Sequence, residues 1–307
     1  MKNFETVFDG FFHAHAPTLI KTEERVTLVF QGRIKSTDQQ YLWLCYYESQ
    51  CWSQPTALTD GFELDCWNPV WFQPIGQDGP WLYFKTSRSA NGWEGWQGEL
   101  LIFDKEIKQF KRFELPIGML GPTKNTPLEI EDFYIIPSSV ETWNRRYSVI
   151  ERIEKRTGEI EFIRLLSPKE EVMTIQPTLI KLPGLIVALT RSNAGYIYRS
   201  DSTDNGKSWE TLYPTDFENP NSAITSLFLD EEHGYVLAYN PSKKSRNQLN
   251  IVLINANGKM TVIDQITYCN KSVAYPSLIK LSDQKLLLTY SIQQREVHTR
   301  VIDICIH

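Results

Sequence analysis

Six basic side chains recur at comparable points along this chain: His13, His15, Arg33, Lys85, Lys124 and Arg191. Each stands near the start of a Pro-containing apolar segment or just after the β-rich run that follows it. Asn68, Glu141, Gln176, Tyr239 and Tyr275 share those positions. The protein as a whole is acidic, with Lys and Arg numbering 32 against 37 Asp and Glu and a net charge of −5. Cations gathered at one set of positions in such a chain suit a small anionic ligand. The same long polar side chains also suit the capping of strand ends.

The elements that position these residues come from an internal repeat. Ala16-Pro17-Thr18-Leu19-Ile20-Lys21 recurs as Gln176-Pro177-Thr178-Leu179-Ile180-Lys181 and as Tyr275-Pro276-Ser277-Leu278-Ile279-Lys280. Weaker copies begin at Asn68-Pro69, Thr126-Pro127 and Thr225-Ser226. Aligning Pro17, Pro69, Pro127, Pro177, Thr225 and Pro276 divides the chain into six units of roughly 50 residues. Each unit reads as short runs rich in Val, Ile, Tyr and Phe bounded by Gly, Pro, Asn or Asp, and none sustains helical periodicity. The repeat predicts an all-β, six-bladed β-propeller occupying 1–307 as a single domain, in preference to a solenoid or a sandwich. In that architecture the residues before each first strand and after each second strand converge on a central funnel, which is where the ligand is expected.

One unit carries Ser202-Thr203-Asp204-Asn205-Gly206-Lys207-Ser208-Trp209, the Asp-box pattern. Its physics is that of a turn: the carboxylate accepts backbone N–H groups, Gly supplies positive φ and Trp packs between strands. Thr157-Gly158 and Asn257-Gly258 mark equivalent turns. Asp204 is therefore read as structural. Cys45, Cys51, Cys66, Cys269 and Cys305 lack metal-ligand spacing and read as reduced thiols, most of them in the core. No basic run supports nucleic-acid binding, and no apolar run is long enough to span a bilayer. Met1-Lys2-Asn3-Phe4-Glu5 lacks a secretory apolar segment, which gives the expectation of a cytoplasmic protein with non-classical export left open, and the closed ring of a propeller gives that of a monomer.

These residues resemble the sialidase (neuraminidase) superfamily over most of the chain. They are closer still to the divergent BNR/Asp-box group labelled "predicted neuraminidase", through blade openings such as Trp67-Asn68-Pro69, Gly121-Pro122-Thr123-Lys124-Asn125 and Ile175-Gln176-Pro177. The resemblance implies an exo-glycosidase that removes a terminal acidic sugar and needs no metal or other cofactor. It implies that Arg191 and Arg246 hold the carboxylate, that Arg33 and Lys85 lie at the periphery, that Tyr275 is the nucleophile and that Asp38 is the acid. His15-Ala16-Pro17 stands where the family has Arg-Ile-Pro, and imidazole cannot make arginine's planar clamp. Gln176 stands near the expected Glu, leaving Glu141 as the candidate to activate the phenol. Substrate contacts are expected from His15, Asn68, Lys124, Gln176 and Tyr239 as well. A lyase acting on uronate glycans and a non-catalytic glycan- or protein-binding propeller are the alternatives on the same fold.

Overall fold

The computed structural model describes residues 4–8 (backbone), 10–36, 38–48, 51–88 and 96–304. Among them are 25 strands in six antiparallel sheets. The N-terminal strand β1 (Phe4–Phe8) belongs to the last sheet. The first sheet holds β2 (His13–Lys21), β3 (Val26–Arg33), β4 (Tyr41–Glu48) and the short β5 (Cys51–Trp52) and β6 (Thr56–Ala57). The second runs β7 (Asp65–Phe72), β8 (Trp81–Ser87), β9 (Gln97–Asp104) and β10 (Gln109–Phe113). The third runs β11 (Leu128–Ile130), β12 (Phe133–Glu141), β13 (Arg146–Glu154) and β14 (Ile160–Arg164). The fourth holds β15 (Thr174–Leu182), β16 (Leu185–Ser192), β17 (Tyr196–Ser202) and β18 (Tyr213–Glu218). In the fifth are β19 (Thr225–Asp230), β20 (Gly234–Tyr239), β21 (Gln248–Ile254) and β22 (Met260–Thr267). The sixth comprises β23 (Val273–Ser282), β24 (Lys285–Ile292), β25 (Glu296–Asp303) and then β1. This is the six-bladed β-propeller that the repeat predicts.

The chain divides into two compact units, Met1–Glu63 with Phe217–His307, and Leu64–Asp216. Within each, sheets pack face to face. Second strands are therefore buried on both sides and read as unbroken apolar runs, as in Leu185-Ile186-Val187-Ala188-Leu189 of β16. In the first unit Leu249 and Ile251 of one sheet meet Leu286, Leu288 and Ile302 of the next. In the second, Ile135 and Ile150 meet Ile186, Tyr198 and Trp209. Each such side chain contributes about 1.5–3 kcal/mol by leaving water. Of the four described cysteines, all free thiols, Cys45 and Cys66 are buried while Cys51 and Cys269 are exposed; Cys305 lies outside the described residues.

The Asp-box forms the β17–β18 connection. Asp204 accepts Ser208 N–H (2.8 Å), Ser208 Oγ–H (2.6 Å) and Ser202 Oγ–H (2.9 Å), and the Trp209 indole N–H donates to Gly206 O at 3.0 Å. The Ser208 hydroxyl contributes most to holding the Asp204 carboxyl at about 2. Gly206, at φ +81°, backs onto Ile135, where a Cβ would come within 3.1 Å of that side chain. Gly158 and Gly258 take positive φ in the corresponding third-to-fourth-strand turns.

The prolines of the repeat mark a bulge. In β2, His15 pairs with Gln31 and Thr18 with Val29, so Ala16 and Pro17 together oppose Phe30. Asn68-Pro69 oppose Phe84, Gln176-Pro177 oppose Thr190, and Tyr275-Pro276 oppose Tyr290 in the same way. Proline fits because a bulged residue needs no ladder N–H. The residue before it is forced left-handed, with φ of 48° at Ala16, 45° at Asn68 and 56° at both Gln176 and Tyr275. The structure also shifts two repeat markers. Pro127 does directly precede β11 and Thr225 opens β19, but the left-handed residues that correspond to the bulge position in those sheets are Gly121, ahead of Pro122, and Asn221, ahead of Ser222.

Candidate functional site

The bulges decide which side chains reach the site. Gln176 is buried, and its backbone N–H donates to Ser139 Oγ at 2.6 Å. Its side-chain Nε2 donates to Glu141 Oε1 at 3.2 Å, while its Oε1 is buried without a hydrogen-bond partner among the described residues. Glu141 ends β12 and pairs in register with Arg146. It remains partly accessible, yet the surrounding protein raises its carboxyl above the ordinary value against the opposing pull of Arg191, the Gln176 amide, Arg146 and Lys85. Arg191, on β16 opposite Ile175, is 7% exposed. Lys124 is 5% exposed; burial, and then the Arg191 charge, bring its ammonium down to about 7. The second unit thus assembles Lys124, Glu141, Gln176 and Arg191, four of the predicted residues, into one cluster.

Lys85 and Asn68 belong to the same unit. Lys85 occupies in β8 the register position that Arg191 holds in β16, one residue ahead of the bulge. Its ammonium is directed at the backbone, donating to Leu120 O and to Gly121 O (2.9 Å). Glu151, which sequence reasoning missed, accepts the N–H groups of the same two residues at 2.5 and 2.9 Å and the Ser138 hydroxyl at 2.5 Å. Burial lowers Lys85 to about 8, offset in part by Glu151 and Glu141. A buried amine and carboxylate thereby clamp the Leu120-Gly121 turn from opposite sides. Asn68 is buried in the left-handed bulge position of β7.

In the first unit the His15 ring lies 4.1 Å from the Tyr275 ring and 5.9 Å from that of His13. Burial chiefly lowers His13, and Arg33, paired with it in register, lowers it further against hydrogen bonds to Gln40 and Gln294. Tyr275 is a bulky residue held in the left-handed region. Such strain persists only where the surroundings impose it, and it concentrates at working sites. Arg246 Nη2 donates to Asn221 O at 2.8 Å, and Arg246 O accepts Val273 N–H at 2.7 Å. Asn240 ties β21 to β23 through Gln248 O (2.6 Å) and Val273 O (2.9 Å). Tyr239 is buried against Phe217 with its hydroxyl on Asn250, so its visible role is packing. Asp38 is exposed in the β3–β4 connection.

Residues 40–288 match the BNR repeat-like domain, which is most of the chain. The chain belongs to the BNR repeat-like family. No curated protein matched it. Among solved structures, this BNR-repeat chain is similar to a protein of unknown function from Dyadobacter fermentans, with TM-score 0.76, 13% identity and 98% coverage of both chains. It is also similar to the Hadza microbial sialidase Hz136 (TM-score 0.75, 12% identity, 96% of this chain and 66% of that one). A Trypanosoma rangeli sialidase mutant displaying trans-sialidase activity gives TM-score 0.71 and 12% identity over 98% of this chain and 58% of its own. The chain thus spans 58% and 66% of the length of those two sialidases, and the likeness establishes a sialidase-type fold.

Arg146 and Glu151 escaped the sequence reading of this BNR-repeat protein for different reasons. Arg146 faces Glu141 across the β12–β13 pair, and the tight turn Thr142–Arg145 between them could have flagged it. Glu151 sits mid-strand in β13, where nothing local distinguishes it from a solvent-facing residue.

Proposed function

We propose that this protein is a sialidase-like exo-glycosidase that removes a terminal acidic sugar, sialic acid or a related nonulosonic or uronic acid, from a glycan. The observation that carries the reading is the cluster of Arg191 and Lys124 beside Glu141. Buried cations suit a carboxylate, and a carboxyl raised above its ordinary value suits proton transfer. Membership of the BNR repeat-like family and the sialidase-type fold support it. Arg191 and Arg246 are assigned to the sugar carboxylate, Tyr275 to nucleophilic attack and Asp38 to protonation of the leaving oxygen. A phenol suits attack on an anionic sugar, because a carboxylate nucleophile would be repelled by the substrate's own charge.

The lyase reading draws on the packing of His15 against Tyr275, ring centroids 4.1 Å apart, which sets an imidazole beside a phenol, the two groups that proton abstraction next to a uronate carboxylate would use. Incubation with sialylated and with uronate-containing glycans, followed by product analysis, separates the two. Free acidic monosaccharide supports the glycosidase. An unsaturated, ultraviolet-absorbing product identifies a lyase, and binding without turnover identifies a glycan-recognition propeller.

A further inference from the structure

The third sheet departs from the other five at one point. Two residues past the bulge proline, or past its serine counterpart Ser222, the chain carries Leu19, Trp71, Leu179, Ile224 and Leu278, all buried. At the same offset from Pro122 stands Lys124, equally buried. The strand opens there: Thr123 N–H donates to Pro137 O at 3.3 Å and Leu128 pairs with Ile135, so residues 124–127 oppose Ile136 alone. Asn125 anchors this insertion by donating from Nδ2 to Pro177 O at 3.1 Å, at the bulge of the fourth sheet. The insertion therefore places an amine where the molecule otherwise places hydrocarbon; its Nζ donates to Asn125 Oδ1 at 3.5 Å, and Asn125 is itself anchored on the Gln176-Pro177 bulge that Arg191 flanks in register.

A second buried cation beside a guanidinium is costly twice over, through desolvation and through like-charge repulsion. Arginine cannot shed its proton; lysine can. We propose that Lys124 and Arg191 form a two-cation seat for a carboxylate, in which Lys124 readily gives up its proton in the empty protein and takes one up as the anion enters. The inference rests on the acidic-ligand reading above and adds proton linkage to it. The direction in which burial and Arg191 move Lys124 agrees. Glu141 of β12, Arg146 of β13 and Lys85 of β8 also bear on this cluster. Lys85 titrates nearby, at about 8, but its ammonium is engaged by the Leu120 and Gly121 carbonyls and faces Glu151.

The proton comes from solvent, turning a lysine amine into an ammonium ion with no other bond changed. Because the anion stabilises the charged amine, affinity falls as pH rises above about 7, by up to tenfold per pH unit, and this group contributes no pH dependence well below that value. Arg191 gives attraction at every pH, whereas Lys124 adds its charge only to a ligand that brings a counter-charge. A neutral sugar leaves the amine uncharged.

The test has two arms on the full chain. Nitrogen-15 resonances of the lysine side chains are titrated with and without sulfate, the Lys124 signal being assigned by its absence in Lys124→Met and Lys124→Arg. Calorimetry with N-acetylneuraminic acid in two buffers of different ionisation heat, at about pH 8, counts protons taken up. The proposal expects Lys124 to titrate near neutrality when empty and to move upward with sulfate. It also expects close to one proton taken up by wild type and none by either variant. Lys124 titrating as an ordinary lysine, or sugar acid binding with no buffer-dependent heat, overturns it. Should sulfate move Lys124 while N-acetylneuraminic acid fails to bind, the two-cation seat stands and the acidic-sugar reading falls. If one variant does not fold, the other supplies the assignment and the wild-type titration still decides.

Discussion

Glu141 works against the fold that holds it. Its carboxyl is raised in the folded protein, so the folded state binds that proton more tightly than the unfolded chain does. The resulting penalty is absent below the ordinary value of 4.5 and grows as pH rises above it. Glu141→Gln keeps an acceptor for Gln176 Nε2 and removes the charge. It is expected to melt with wild type at about pH 4 and above wild type at about pH 8, while turnover is lost. Thermal unfolding of both proteins across that range checks it; a variant less stable at every pH contradicts the assignment. Much of this cluster was legible in the sequence, because Glu141, Gln176, Arg191 and Lys124 sit at fixed offsets from strand ends. Its electrostatics were not: the state of Lys124 depends on burial and on Arg191, 67 positions away in sequence, which no local pattern encodes.

At the scale of the element, the X-Pro bulge is the recurring device, and it holds non-glycine residues left-handed. That conformation costs an L-residue about 1–2 kcal/mol. Ala16→Gly relieves it at φ 48° and is expected to be neutral to about 1 kcal/mol more stable, whereas Ala188→Gly, in the regular ladder of β16, is expected to cost about 1 kcal/mol or more. Paired urea denaturation curves decide; equal losses would mean that the bulge carries no strain at Ala16. The Asp-box supplies a second element-level expectation. Trp209→Ala should cost about 3 kcal/mol, since the indole packs with Ile135, Ile150 and Ile186 as well as closing its own turn. Normal stability in that variant would contradict the packing role. The repeat made the bulges visible as Ala16-Pro17, Asn68-Pro69, Gln176-Pro177 and Tyr275-Pro276. It misplaced the third because Thr126-Pro127-Leu128 imitates the motif five residues after Gly121-Pro122, and near-equal spacing cannot choose between them.

For the molecule as a whole, six sheets and their strand order follow from apolar runs and turns, but the pairing of the two chain ends does not. β1 joins β25, with Phe4 opposite Arg300 and Glu5 opposite Thr299. The sequence from Phe4 to Phe8 reads as a strand, yet its partner lies nearly 300 residues away and is chosen by the closing of the last sheet. Deleting residues 1–9 leaves the β25 edge unpaired, so the truncated protein is expected to melt lower and to aggregate on concentration, as light scattering would show. An unchanged melting temperature would mean that β1 adds nothing to the sheet. The central claim, a phenol-nucleophile glycosidase acting on an acidic sugar, is tested most directly at Tyr275. The measurement is release of sugar acid from an aryl sialoside by wild type and by Tyr275→Phe, with affinity for the free sugar acid measured in parallel. The account predicts turnover by wild type, a loss of several orders of magnitude in the variant, and affinity unchanged to within about tenfold, because the hydroxyl acts in the transition state. Equal turnover by both proteins, or none by wild type, contradicts it.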